Sequence, residues 1–155
     1  MADPSLLPLV DEHVISVRAP RLAVWRRLGA SLRGSGRAGG PLTRLLGAQP
    51  GDRTGDPLAV GSTIPGFAVV DAIPGERLVL AGRHRFSAYR LVFTLTGTDG
   101  TTRLAARSEA RFPGLHGRAY RALVIGSGGH RVVVRRWLRA IARAAEAEKV
   151  SVPRD

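Results

Sequence analysis

The sequence contains no cysteine and a single lysine, Lys149, and the first absence excludes several functions. Without cysteine the chain has no disulfide framework, no thiolate nucleophile and no cysteine ligands for structural zinc. A metal site would depend on four histidines and a few carboxylates, and the histidines lack the spacing of a ligand motif. We therefore predict no metal ion and no cofactor.

Long apolar runs are also missing. No segment approaches the roughly 20 apolar residues that span a bilayer. The start, Met1 to Pro4, is not a charged region followed by an apolar run, as a signal peptide would be. The sequence thus predicts a cytoplasmic protein, and its length of 155 residues predicts one domain over 1–155.

Charge of one sign dominates, with a formal net charge of +12. The arginines are spread along the whole chain, and together with abundant alanine and glycine they are typical of a GC-rich, bacterial coding sequence. A local concentration lies on one predicted helix face, opposite the apolar stripe: Arg131, Arg135, Arg136, Arg139 and Arg143. Because no aromatic residues interleave for base stacking, we favour a solvated face over a nucleic-acid or membrane patch.

Apolar and polar residues alternate from Leu9 to Arg18, which predicts a strand with His13, Ile15 and Val17 on one face. Ala19-Pro20 ends this strand and begins a short helix, because proline is well suited to a first helical turn. Its apolar stripe is Leu22, Trp25, Leu28, Gly29 and Leu32. A loose connection over 33–61 follows, with a second short helix predicted over Pro41–Gly47.

From residue 67 onward the pattern predicts an antiparallel meander. Four strands are expected over 67–73, 77–85, 87–96 and 101–111, with turns at Pro74-Gly75 and Thr98-Asp99-Gly100. The last two strands alternate clearly between an apolar face and a polar one. The inward residues are Tyr89, Leu91, Phe93 and Leu95, then Leu104, Ala106, Ser108, Ala110 and Phe112.

The segment from Phe112 to Val150 reads as one long amphipathic helix. At about 100° per residue, its buried stripe contains Tyr120, Leu123, Ser127, His130, Val134, Trp137 and Ile141. Polar residues at the centre of this stripe, beside glycines that each cost about 1 kcal/mol in a helix, predict a helix that crosses a cavity. Ile125 and Val132 fall on its basic side, which indicates either a kink or a dimer contact.

The order of these elements resembles a known family. Val17-Arg18-Ala19-Pro20, followed by Val24-Trp25, the strand series and the long closing helix are similar to the START-like, helix-grip superfamily, also called SRPBCC. That superfamily includes birch-pollen-allergen-like proteins and the polyketide cyclase and dehydrase group. The resemblance implies an α+β fold in which a curved antiparallel sheet wraps around the C-terminal helix, with a cavity between them for a hydrophobic ligand.

Strand parity and helix phase predict which residues line such a cavity. The candidate ligand-binding residues are Phe67, Asp71, His84, Tyr89, Phe93, Ser108, Tyr120, Ser127 and His130. Two interpretations of His130 stay open, a ligand contact or a cap for a local kink. His116, before the closing helix, is a candidate for the cavity rim.

Three functions follow from this reading. We favour noncatalytic binding of a lipid-, polyketide- or aromatic-like small molecule by a monomer or homodimer. The enzyme alternative is a cyclase or dehydratase in which His130, with Tyr89 or His84, transfers a proton. A basic nucleic-acid-binding protein is the less favoured third hypothesis.

Overall fold

The computed structural model describes residues 7–35, 45, 47–98 and 100–150. Within them the strands are β1 (Leu9–Val17), β2 (Thr63–Ile64), β3 (Phe67–Ile73), β4 (Arg77–His84), β5 (Ser87–Thr96) and β6 (Thr102–Arg111). The helices are α1 (Arg21–Ser35), α2 (Gly114–Val124) and α3 (Gly129–Val150). The predicted short helix Pro41–Gly47 lies mostly outside the described residues.

The six strands form one open antiparallel sheet in the order β1-β6-β5-β4-β3-β2. The first strand therefore pairs with the last, while β3 to β6 form the predicted meander. The four predicted meander strands and β1 are confirmed to within a residue at each end, and the two-residue β2 is an addition. This is the α+β helix-grip architecture, a curved sheet with a long C-terminal helix.

The hydrophobic core lies where α1 and α3 cover the inner face of the sheet. Leu78, Leu80, Phe93, Leu95 and Leu104 are fully buried on the strands. α3 packs against α1 and β1, and it contributes an apolar stripe at helical spacing, Val134, Leu138, Ile141 and Ala145. Trp137 fixes this contact from both sides, since its ring meets Phe93 edge-on at 5.3 Å and its indole N–H donates to Ser31 Oγ.

The prediction of a single helix from Phe112 to Val150 is wrong, because a turn separates α2 from α3. The N–H of Ile125 closes the last turn of α2 on the carbonyl of Arg121, and Gly128 then takes a φ of +75°. Only glycine adopts that conformation without steric cost, so the glycine cluster ends one helix and permits the next. The break resets the helical phase. Leu123, predicted to be buried, is consequently 73% exposed.

The stripe predicted for α1 is correct except at its first residue. Trp25, Leu28 and Leu32 are buried, whereas Leu22 is exposed. Its side chain lies beside Gly75 in the turn between β3 and β4, outside the main core.

Gly82 in β4 lies very close to Gly66 and Tyr89, and a substitution there tests how tightly this part of the protein is packed. A Cβ there would lie 1.9 Å from the carbonyl oxygen of Gly66 and 2.7 Å from the ring of Tyr89. Because a backbone atom cannot rotate away as a side chain can, we expect Gly82→Ala to lower the free energy of unfolding by about 1–3 kcal/mol in urea denaturation. The matched control is Gly34→Ala near the end of α1, where a Cβ meets nothing within 4 Å. This change should be neutral or stabilise by at most about 1 kcal/mol. Equal stability of the two variants would contradict the close approach.

Candidate functional site

A cavity of about 490 Å³ lies between one end of the sheet and the α2–α3 region. Six of the predicted ligand-binding residues line it: Phe67, His84, Tyr89, Ser108, Tyr120 and His130. Much of the remaining wall is apolar, with Val10, Ala48, Leu91, Ala110, Phe112, Val124, Ile125 and Val133. The volume falls within the range of roughly 300–1,000 Å³ that is typical of small-molecule sites.

Phe93 was predicted to line the cavity, and this prediction is wrong. Its side chain points inward, as parity requires, but it is fully buried against Trp137. On β5 and β6, the pair Leu91 and Ser108 lines the cavity, whereas the next inward pair, Phe93 and Ala106, belongs to the core. The boundary between cavity and core therefore runs between these two pairs. Position along the strand, which parity does not specify, decides on which side of that boundary a residue lies.

Asp71 also lies outside the cavity, contrary to prediction. The register of β3 shifts between Val69 and Asp71, so that Ala72 packs against the core. The carboxylate of Asp71 instead meets the guanidinium of Arg77 at 2.6 Å on the exposed face. A β-bulge of this kind reverses the facing of every residue after it, and the alternation of residue types does not reveal it.

Ser127 is the third predicted residue that does not line the cavity. It is exposed in the turn between α2 and α3, where its Oγ accepts a hydrogen bond from the N–H of Gly129 at 3.3 Å. A serine that accepts from the N–H two residues later stabilises the start of a helix. The prediction failed because it assumed an unbroken helical phase through Gly128.

Aromatic rings form one end of the cavity. The ring of His84 lies 4.8 Å from Tyr120 and 5.6 Å from Tyr89, and Tyr89 meets Phe67 edge-on at 5.1 Å. Gly117 allows α2 to lie close to the turn between β4 and β5, since a Cβ there would lie 3.1 Å from the carbonyl oxygen of Phe86. These rings form a mostly apolar wall with ring faces and edges available to a flat ligand.

Both tyrosines on this wall keep their protons. Tyr89 donates its hydroxyl to the carbonyl of Gly66 at 2.7 Å. Burial, with a smaller contribution from Tyr120, raises the pKa of Tyr89 to about 12. Burial also raises the pKa of Tyr120. Tyr89 is therefore not suited to act as a base at neutral pH.

His84 is held as a neutral imidazole. Its Nδ1 accepts the N–H of Phe86 at 3.1 Å, which requires that nitrogen to be unprotonated. Its Nε2 lies 3.0 Å from the hydroxyl of Ser87. Burial lowers the pKa of His84 below its ordinary value of 6.5. His84 therefore stabilises the turn between β4 and β5 through its hydrogen bonds, and it also lines the cavity.

At the opposite end of the cavity Ser108 and His130 line the wall, and a chain of polar side chains leads away from them through Asp11, His13 and Arg135. His130 Nε2 lies 3.1 Å from Ser108 Oγ and 3.6 Å from Asp11 Oδ1. The other carboxylate oxygen of Asp11 accepts from His13 Nε2 at 3.2 Å, and Arg135 donates to His13 Nδ1 at 3.4 Å. His130 thus reaches across to the sheet, and within the described residues its ring makes no hydrogen bond to the backbone of the helix break.

Asp11 does not itself line the cavity, but it lies against His130, which does, and the sequence-based site prediction missed it. Its side chain is only 8% exposed, and its Oδ1 has no hydrogen bond among the described residues. The sequence contained a signal that Asp11 points inward, because it continues the alternation of His13 and Ile15. The structure places it directly opposite Ser108 in the β1–β6 register. The bulge between Leu9 and Asp11 then turns the strand away.

The geometry limits the chemistry of this polar end. A nucleophilic serine relay uses both ring nitrogens of histidine, one toward the serine and one toward the acid. Here the same nitrogen, His130 Nε2, faces both Ser108 and Asp11. The arrangement is instead suited to hydrogen bonding with an oxygen of a ligand.

His116, the candidate rim residue, is exposed on α2, where it stacks on Phe86 at 6.5 Å. Across the described part of the chain, no cluster of three His, Asp or Glu residues is arranged to hold a metal ion.

Comparisons with solved structures find the same architecture at low sequence identity. Protein CV1439 from Chromobacterium violaceum is 14% identical with a TM-score of 0.57, and the match covers 88% of this chain and 96% of that chain. Protein Mll3558 from Rhizobium loti is 18% identical with a TM-score of 0.54, covering 86% and 94% respectively. An Aha1 dimer from Colwellia psychrerythraea is 17% identical with a TM-score of 0.51, covering 87% and 94%. No protein-family model and no curated protein matches this chain. These similarities support the fold, an antiparallel sheet with a C-terminal helix.

The neutral His84 generates a prediction about pH. Because its pKa is lower in the folded than in the unfolded chain, the unfolded chain binds more protons between the two values. The stability from this residue is fully present above pH 6.5 and is lost as pH falls through the folded-state pKa. In His84→Asn this loss should disappear from urea unfolding curves measured between neutral and mildly acidic pH. An NMR titration should place the midpoint of His84 below 6.5, and a midpoint above 6.5 would contradict the assignment.

Proposed function

We propose that this chain is a START-like, SRPBCC ligand-binding domain over 1–155 that holds a hydrophobic small molecule between the sheet and the α2–α3 region. The cavity of about 490 Å³ with its mainly apolar wall is the observation that carries the proposal. The six-stranded antiparallel sheet and long C-terminal helix support the family assignment. We expect a cytoplasmic monomer or homodimer, and the similar Aha1 structure is a dimer.

The two ends of the cavity suggest the chemistry of the ligand. The rings of His84, Tyr89 and Tyr120 favour a flat or aromatic body, because ring edges and faces pack well against such a body. Ser108 and His130 offer hydrogen bonds at the opposite end. The expected ligand is therefore a lipid-, polyketide- or aromatic-like molecule with at least one hydroxyl or carbonyl group.

Native mass spectrometry of protein purified from its source is the direct test. We expect a hydrophobic compound to travel with the protein and to be released on unfolding. A protein that carries no compound, and binds no apolar probe, would overturn the proposal.

A cavity-filling substitution tests the location of the ligand. Ala110 lines the cavity and pairs with Tyr89 across the strands, so Ala110→Phe should occupy part of the space. We expect at least tenfold weaker binding of a fluorescent fatty acid such as cis-parinaric acid, which corresponds to about 1.4 kcal/mol. The matched control is Ala88→Phe, which adds the same ring at an exposed position on the neighbouring strand. Equal probe affinity of the two variants would place the ligand elsewhere.

The contact between His130 and the buried Asp11 favours a second candidate, a cyclase or dehydratase in which His130 transfers a proton. His130→Gln separates the two functions. In a binding protein the variant should retain probe affinity within about threefold, because glutamine also hydrogen-bonds. In an enzyme it should lower turnover of a polyketide-like substrate by roughly 10²–10⁴-fold, the usual contribution of an acid or base. Full turnover in His130→Gln would exclude the acid–base role.

A further inference from the structure

We propose that α2 and the first turns of α3 form a docking surface for a bilayer that contains anionic phospholipid. This inference goes beyond ligand binding and does not depend on what the cavity holds. It rests on an exposed apolar stripe, on the charge of the segment around that stripe and on the position of both beside the cavity.

The helix α2 turns an apolar side to solvent. Leu115, Ala119, Ala122 and Leu123 recur at the i, i+4, i+7, i+8 spacing of a single helix side, and all four are exposed. We call this set the α2 stripe. Leu115 is 77% exposed and Leu123 is 73% exposed. The other side of α2 carries Gly117 and Tyr120 toward the sheet, so the stripe has no partner within the described residues.

The α2 stripe lies at the edge of the cavity. Val124, next to Leu123 in the chain, is part of the cavity wall. On α3, Val133 also lines the cavity and yet is 65% exposed, which marks the rim. Its neighbour Val132 is exposed as well. Apolar surface therefore continues from the cavity wall onto the outside of the molecule.

The segment that carries this surface has charge of one sign. Residues 110–145 contain eight arginines and no aspartate or glutamate. Six of these arginines are exposed and form no ion pair within the described residues: Arg118, Arg121, Arg131, Arg136, Arg139 and Arg143. By contrast, Arg26 and Arg27 on α1 both pair with Glu148. These six arginines thus remain available to an external anion.

An anionic bilayer surface is the occupant that these features favour. Apolar side chains on one side of a helix insert at the boundary between headgroups and acyl chains, while flanking arginines bind lipid phosphates. A second copy of this chain, docked through the same surface, would bring unpaired arginines against arginines. A nucleic acid would find phosphate partners, but it would meet an apolar stripe without aromatic residues for stacking. No helix in the described residues is long and apolar enough to cross a membrane, so docking would be at the surface.

Docking in this orientation would place the cavity rim against the lipid. If the cavity binds a hydrophobic molecule as proposed above, that molecule would then pass between the bilayer and the cavity without crossing water.

Vesicle sedimentation tests the docking surface with the whole chain. At about 0.15 M salt we expect the protein to sediment with phosphatidylcholine vesicles that contain about one third phosphatidylglycerol, and to remain in solution with phosphatidylcholine alone. The double variants Leu115→Gln/Leu123→Gln and Arg118→Gln/Arg121→Gln should each weaken binding by at least about fivefold. Circular dichroism melting curves establish that each variant is folded.

Matched controls carry the same changes on other surfaces. Val14→Gln/Val60→Gln alters exposed apolar residues, and Arg21→Gln/Arg103→Gln removes the same charge from α1 and β6. Both should bind vesicles as the unmodified protein does. Ala110→Phe should also do so, which separates a failure of docking from a failure of ligand binding.

Four results would overturn the proposal. The first is no binding to either vesicle, and the second is equal binding to both. The third is a dimer in analytical ultracentrifugation that Leu115→Gln/Leu123→Gln converts to a monomer, since the stripe would then be an interface between copies. The fourth is tight binding of duplex DNA that needs Arg118 and Arg121 but not the two leucines.

Discussion

The contact of α3 with α1 and β1 is the constraint on which the rest of the molecule depends. Leu138, Ile141 and Ala145 are buried in it, and Trp137 joins Phe93 on the sheet to Ser31 on α1. Since a helix is rigid, fixing its C-terminal two thirds also fixes the position of its first turn. That first turn carries His130 over the sheet where no large core side chain fills the space. The cavity is thus a consequence of where the helix is held.

The break at Gly128 divides the closing segment into two helices with different tasks. An unbroken helix would have directed Leu123 toward the sheet, whereas the left-handed glycine allows α2 to lie separately, with Tyr120 inward and Leu123 outward. Each glycine in this turn costs conformational entropy on folding. The result is a helix that closes the cavity with one side and leaves apolar side chains exposed on the other.

The polar end of the cavity depends on pairings far apart in the chain. Asp11 and Ser108 face each other only because the first strand pairs with the last, and His130 reaches both from α3. A buried carboxylate is stable only when cationic or hydrogen-bonding groups surround it. His13 donates to the other oxygen of that carboxylate, and Arg135 in turn donates to His13. The same contacts that stabilise the buried acid therefore orient the imidazole at the cavity wall.

Alternation and helical period in the sequence determined the strands β1 and β3 to β6 and the helix α1. They also determined the inward direction of Tyr89, Ser108 and His130. Both patterns are local, since they repeat every two or 3.6 residues. Asp71 was mispredicted because a bulge reversed the alternation, and Ser127 because a left-handed glycine reset the helical phase. Phe93 pointed inward as expected but became core, since its depth under α3 is a property of the whole assembly. The sequence by itself determined which faces turn inward. Only the tertiary structure decided where the inner space is filled and where it stays open, because that depends on how a rigid helix is anchored over the far end of the sheet.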